Sequence, residues 1–284
     1  MSIHSSSMAA ALLRGTADLT QIITQTLVHP IYFPYPLGLT LHAARVSIAY
    51  QSNVRNTGNW GRITWATYLA GFLVMSWGGS VWSHILLGLY PPQLYSVQPW
   101  INYLSVHLLL TGILPHIQAA ISPRILDTLL FPIDSVLRLS SITGSLSLLQ
   151  AHPDPHLSQS LFLQLIIGAV ASAGGGVTAA TFDVWTPEWK FGTPVILKSN
   201  WVGSVDVWGG AVTAFIYGLL TASHPTHQHI LKSLSITSQP GPAFTPLEAR
   251  AAATIVLAVL FLWRAVVVHW IGKVVRKEAK EKTQ

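Results

Sequence analysis

From Ile63 to Gly88, and again from Leu157 to Phe182, the chain runs for 26 residues without one Asp, Glu, Lys or Arg. Runs of this kind belong in a large buried core or in lipid, and composition decides between them. Of 284 residues only 9% are charged, where a soluble globular domain carries roughly 25%. A water-facing surface cannot be built from so few charges, whereas about 20 apolar residues already cross a bilayer. In lipid every backbone N–H and C=O needs an internal partner, which leaves helices or a closed barrel. The runs are too long, and alternate too little, for barrel strands. The expected fold class is an all-α membrane protein.

Seven transmembrane helices are expected, at 30–50, 63–89, 98–121, 124–149, 157–183, 200–222 and 247–272. Eleven tryptophans suit the two headgroup levels. The net charge of +6 does not imply nucleic acid, because Lys273, Arg276, Lys277, Lys280 and Lys282 all crowd into the last dozen positions. A basic tail behind an apolar helix is a cytosolic anchor. Arg45, Arg55 and Arg62 flank the first connection, Arg124 lies in the third, and Lys190 and Lys198 in the fifth. All fall on the side of the tail, with only Arg14 and Lys232 opposite. By the positive-inside rule the N-terminus faces a lumen or the exterior and the C-terminus the cytosol. The chain has no cysteine, so redox compartment is not readable. The first thirty residues lack a basic start followed by an apolar core, and no cleaved signal peptide is expected.

Both charge-free runs carry glycines at mid-length, Gly78-Gly79 and Gly174-Gly175-Gly176, and the clusters stand 96 positions apart. Pro36 and Pro132 repeat the same offset. Paired interrupted hydrophobic segments mark a duplicated transport unit. Three helices per copy is an odd number, so the second copy enters from the opposite side and the repeat is inverted. The implied plan is an N-terminal lumenal segment (1–29), a first three-helix repeat (30–122) and a second (123–223). A lumenal loop (224–246), a seventh helix (247–272) and a basic cytosolic tail (273–284) complete it.

Glycine lacks Cβ and permits a kink, a carbonyl turned into a cavity, or close helix approach. At matched positions the expectation is bent, pore-lining helices, with Ser80 and Thr178 beside them; the alternative is small-residue packing. Asp134 and Arg138 are four apart on one helical face and read as a mutually satisfied pair. Asp206 has no partner nearby in sequence and is the better candidate for attracting a cation. Arg264 lies well inside the seventh span, within reach of Asp206 or Asp134 once folded. Charges at such depth face a cavity or each other. His84 and His107 read as hydrogen-bonded buried histidines. His152, His156, His224, His227 and His229 read as solvated loop residues, since the His227–His229 spacing lacks a third ligand. No phosphate loop, HExxH or nucleophile elbow occurs, and an enzyme is not supported.

At these residues the chain resembles the trimeric intracellular cation channel family. Gly78-Gly79-Ser80 followed by Ile85-Leu86-Leu87-Gly88 looks like that family's second helix. Pro123, Asp127 and Phe131-Pro132 look like the entry to its fourth. Gly174, Gly176, Val177, Phe182 and Trp185-Thr186-Pro187-Glu188 are similar to its fifth helix and the segment after it. The resemblance implies a homotrimer of the endoplasmic reticulum with a potassium-permeable pore in each protomer, bounded by the second and fifth helices. Such pores supply counter-ion flux for calcium stores. Departures limit what carries over. Ala173 stands where animal members have a gating lysine, His84 where the family has an aspartate, and Ser140–Ser145 holds no basic residue where those members bind phosphoinositide. The implied partners are membrane lipids, other copies of the chain and permeant monovalent cations, with no bound cofactor or metal.

A secondary transporter is the competing class, since inverted repeats and midplane glycines suit it too. It should place an acid at the glycines, and Ser80, Ser172 and Thr178 flank them instead. A seven-helix receptor would lack the duplication. The topology is tested by single cysteines in this cysteine-free chain. An impermeant thiol reagent should reach positions near Arg55 and in the tail from one side, and the 224–230 segment only from the other. Labelling of the tail and the 224–230 segment from the same side would end the seven-span plan.

Overall fold

Where the helices begin is set by short polar side chains and prolines. The computed structural model describes residues 3–117, 123–234, 242 and 244–271. Helix α1 (Ile3–Gln25) leads into an antiparallel hairpin of β1 (Leu27–His29) and β2 (Phe33–Pro36). There follow α2 (Leu37–Asn56), α3 (Trp65–Leu86), α4 (Gln98–Ile117), α5 (Pro123–Gln150) and the single turn α6 (Pro155–Ser158). Next come α7 (Leu161–Phe182), the turn α8 (Val195–Lys198), α9 (Val205–Leu220), α10 (Pro225–Ser233) and α11 (Pro246–Val266). A π turn, Val267–Ile271, extends α11.

Thr64 and Ser160 each accept the N–H of the residue three further on, at 3.3 and 3.1 Å, and so open α3 and α7. Thr245 and Glu248 form a capping box around Pro246 at the start of α11. Helix α3 stops at Gly88, whose φ of +64° suits glycine. The Leu89 N–H returns to His84 O at 2.8 Å and the Gly88 N–H to Ile85 O at 3.0 Å, closing the last turn.

All seven expected spans contain a helix, yet among the described residues three helices are long and apolar enough to cross a membrane: α3, α7 and α11 with its π turn. A fourth span results if α9 and α10, which meet at 75°, are taken together. The first expected span is displaced. Residues 30–36 lie in the hairpin, where Pro30, Pro34 and Pro36 prevent helix, and α2 begins at Leu37. The proline offset fails for the same reason: Pro36 precedes α2, whereas Pro132 lies inside α5. The 1–29 segment is mostly the helix α1, which the apolar-run criterion passed over because Arg14, Asp18 and several threonines interrupt it. Its Ile23 is buried against Val136 and Leu137 of α5. The 273–284 tail lies outside the described residues.

The glycines do not break their helices. Both α3 and α7 run unbroken through them, and the two helices cross there backbone to backbone. A Cβ on Gly78 would stand 2.8 Å from Gly175 Cα, and one on Gly174 would stand 2.8 Å from Gly79 Cα. A Cβ on Gly79 would lie 3.0 Å from the Ala171 carbonyl oxygen, and one on Gly175 would strike the Met75 carbonyl. Small-residue packing is thus the observed role of Gly78, Gly79, Gly174 and Gly175. The carbonyls are not turned loose either. Ser83 donates to Gly79 O at 2.8 Å and Thr178 to Gly174 O at 2.6 Å. Two cores flank the crossing. Tyr50, Phe72, Trp77 and Tyr103 fill the space among α2, α3 and α4, while Leu139, Ile142, Ile167, Leu257 and Phe261 fill that among α5, α7, α9 and α11.

Gly176 faces open space, which provides an internal control. Gly175→Ala should cost about 1–3 kcal/mol through overpacking, while Gly176→Ala should stay within about 0.5 kcal/mol. Thermal melting of detergent-purified protein measures both. Equal melting temperatures for the two variants would contradict the backbone-to-backbone crossing.

Candidate functional site: a charge cluster between helices

Helix α5 carries Asp127, Asp134 and Arg138 at spacings of seven and four, which place them on one stripe. The stripe faces two neighbours. On one side Arg45 of α2 reaches both acids: its Nε lies 3.2 and 3.1 Å from the two Asp134 oxygens, and one terminal nitrogen lies 2.5 Å from Asp127. On the other side a terminal nitrogen of Arg138 lies 2.8 Å from Asp206 Oδ1 at the start of α9. The same Arg138 nitrogen donates to Ser172 O of α7 at 2.8 Å. Arg264 of α11 bonds the second Asp206 oxygen. Both guanidinium groups also stand against the Phe261 ring, at 4.9 and 5.1 Å from its centre, an arrangement that favours cations.

This overturns two expectations. Asp134 and Arg138 share a helical face but not a bond, because each meets an opposite charge on a different neighbouring helix. Asp206 is not unpaired; it is held by two arginines. Arg264, for which two acids were open, takes Asp206. Ser172 Oγ donates to the Asp206 backbone carbonyl at 2.9 Å. The charge cluster therefore sits two residues from Gly174, beside the α3–α7 crossing.

Ser80 contributes its carbonyl, bonded by the His84 ring at 2.7 Å. The indole of Trp82 donates to Thr178 Oγ1 at 3.0 Å, between positions 96 apart. His107 is buried, bonds Ser47 at 2.8 Å and stacks on Phe72 at 3.9 Å. His227, expected in a solvated loop, is fully buried in α10. Among the described residues no group of three or more His, Cys, Asp or Glu is placed to hold a metal ion.

Arg45, Asp127 and His269 complete the cluster and were not among the candidate residues. Asp127 binds Arg45 through one oxygen and His269 Nε2, at 2.9 Å, through the other. Arg45 was counted with the first connection although it falls inside the expected 30–50 span; in α2, Leu37–Asn56, it lies in the helix interior. Asp127 could have been found from its spacing of seven to Asp134. The exposure of these side chains is 10% for Asp134 and 20–27% for the others. Such charges within a membrane face water or protein, not lipid.

Compared with protein-family models, with curated proteins and with solved structures, the chain matches none.

The pairing makes a thermodynamic prediction. Asp206→Asn leaves two arginines without their carboxylate. It should destabilise the protein by about 2–3 kcal/mol, below the ~3–5 kcal/mol of fully buried pairs because of the partial exposure. A double-mutant cycle of melting temperatures should give coupling for Asp206 with Arg264 and none for Asp134 with Arg138. The reverse result would restore the pair within α5.

Proposed function

We propose that this chain is an inverted-repeat membrane channel for monovalent cations, potassium-permeable, acting as a homotrimer in an intracellular membrane such as the endoplasmic reticulum. The observation that carries the reading is the reciprocity of the α3–α7 crossing. Helix α3 shifted by 96 positions covers the range of α7, from Trp65 against Leu161 to Leu86 against Phe182. The contact of Gly78 with Gly175 has its mirror in Gly174 with Gly79 at the same 2.8 Å, and Gly79 with Ala171 is mirrored by Gly175 with Met75. Residue i touching j, and j's counterpart touching i's, is the signature of a two-fold axis. An axis between two spanning helices fits halves of opposite orientation, which supports seven spans in a three-plus-three-plus-one plan. Trimerisation, potassium and the organelle rest on the family resemblance, as does the counter-ion role.

Conduction is assigned to the stripe of charges and not to glycine carbonyls, which are engaged within their own helices. Around the first half of α5 two carboxylates, Asp127 and Asp134, are bonded by Arg45 and His269, and Arg124, one turn before Asp127, lies over the Trp270 ring at 3.4 Å. Two carboxylates share the single bonded arginine, Arg45, and that local excess of carboxylate draws cations. Asp206 with its two arginines carries +1 and does not. A transporter is the second reading, favoured by one fact: Asp206 lies beside the glycine crossing through Ser172, where a coupling carboxylate would be wanted.

Recording from purified protein in a planar bilayer separates these classes by unit flux. Discrete currents of many ions per opening, with cation preference, are expected. Asp127→Asn leaves Arg45 paired with Asp134 and should lower cation preference without loss of folding. Saturable, coupled flux with no unitary current would replace the channel by the transporter.

A further inference from the structure

Helix α10 turns away from α9 at 75°; in the proposed three-plus-three-plus-one plan it lies beyond the sixth span, and two imidazoles fasten it. His224 caps α10, its Nδ1 accepting the Thr226 N–H at 3.0 Å. With Nδ1 an acceptor, the proton sits on Nε2, which donates to the Gln159 carbonyl at 2.9 Å in the link between α6 and α7. Only the neutral ring makes both bonds. A second proton on Nδ1 would confront an N–H donor at the positive end of the helix.

His227, one turn on, is fully buried against α9. It fits because Gly218 has no side chain; a Cβ there would stand 2.7 Å from His227 Cε1. Its Nδ1 lies 3.4 Å from Ser223 Oγ, and its Nε2 has no partner. The surroundings supply no counter-charge. From α9 come Gly218 and Phe215, and from α7 the neutral amide of Gln164, which bonds Ala214 O. Helix α10 itself adds His229 and Lys232, and the His224 ring centre is 5.8 Å away. The nearby acids are occupied elsewhere: Asp154 caps α6 and Glu248 caps α11. Among the described residues the one histidine–carboxylate pair within 4.0 Å is His269–Asp127, beyond the far end of α11.

We propose that α10 is an acid-released latch: protonation of His224 and His227 frees it from α9 and from the α6–α7 link, opening that end of the α7–α9 pair when the adjoining compartment acidifies. Burial, and then the neighbouring His224, push the docked His227 imidazole down to about 4 against the opposing pull of the Gly218 backbone, where a free ring sits at about 6.5. The sign follows. Docking is complete above about pH 6.5 and weakens as pH falls toward 4, since the released state binds the proton more readily. From pH 7 to 5, His227 alone shifts the balance about 20-fold. The latch is independent of what crosses the membrane.

The test uses the full cysteine-free chain with one reporter at a time. Leu231→Cys is buried in α10, Gln228→Cys is exposed on the same helix, and Ile142→Cys is buried in α5. Dividing the Leu231→Cys labelling rate by that of Gln228→Cys removes the pH dependence of the thiol reaction. The ratio should rise about 20-fold or more between pH 7 and 5 while Ile142→Cys stays protected. His224→Asn keeps a capping acceptor that does not titrate, and His227→Gln removes the buried imidazole; each should shrink the rise. If His227→Gln is already labelled fast at pH 7, the His224→Asn result decides. A flat ratio, a rise unchanged in His224→Asn, or parallel exposure of Ile142→Cys would overturn the latch.

Discussion

The approach of α3 to α7 without intervening side chains is the contact from which the rest of the bundle hangs. Lipid tails are as apolar as leucine, so helices in a bilayer gain little by hiding from them and associate through van der Waals contact and hydrogen bonds. Glycine pairs maximise the first. At the crossing, Gly78 and Gly79 meet Gly174 and Gly175; on the far side of α7, Gly168 meets Gly210 and Ala214 of α9 just as closely. Helix α7 thus joins the two cores, and Ala179 and Val184 at its end lie in the first core while Ile167 near its start lies in the second.

The charges depend on that geometry. Asp206 is brought to Arg138 because α9 lies tight on α7, and the Ser172 carbonyl and hydroxyl serve the two residues in turn. Balanced groups of this kind are costly to disrupt singly and add little net stability when intact. Their persistence at partial exposure fits a wet or protein-covered crevice. The asymmetry between the two ends of the cluster, two acids to one arginine against one acid to two, gives the stripe a direction.

How much of this was legible in the sequence differs by element. Charge-free runs announce helices, and α3, α7 and α11 were visible because hydropathy and length agree. Helix α1 was not, since its packed face, Leu19, Thr20 and Ile23, is short and mixed with polar residues and makes no apolar run of span length. The hairpin was missed because Pro30, Pro34 and Pro36 sit in an otherwise apolar segment that hydropathy counts as membrane. The glycine clusters were correctly singled out and their action misread: sequence tells that Cβ is missing, not whether a backbone or a cavity fills the space. Spacing on one helix likewise placed Asp134 and Arg138 together, yet partners on α2, α9 and α11 are separated by up to about ninety residues and leave no local trace. His227 looked solvated because the pocket that swallows it is made by an absence, at Gly218.

Contact through glycine on both faces of α7 has a mechanical consequence. Side chains are the compressible part of a helix interface; they change rotamer and absorb small displacements. Between α3 and α7 there are none at the closest points, and between α7 and α9 only the short side chains of Ser172 and Ala214. A tilt or slide of α7 is therefore passed to both neighbours without slack, and with it the separation of Asp206 from Arg138. The three helices form a stiff slab through the middle of the protein, and compliance is left to the parts held by side chains: α1, α4 and α10.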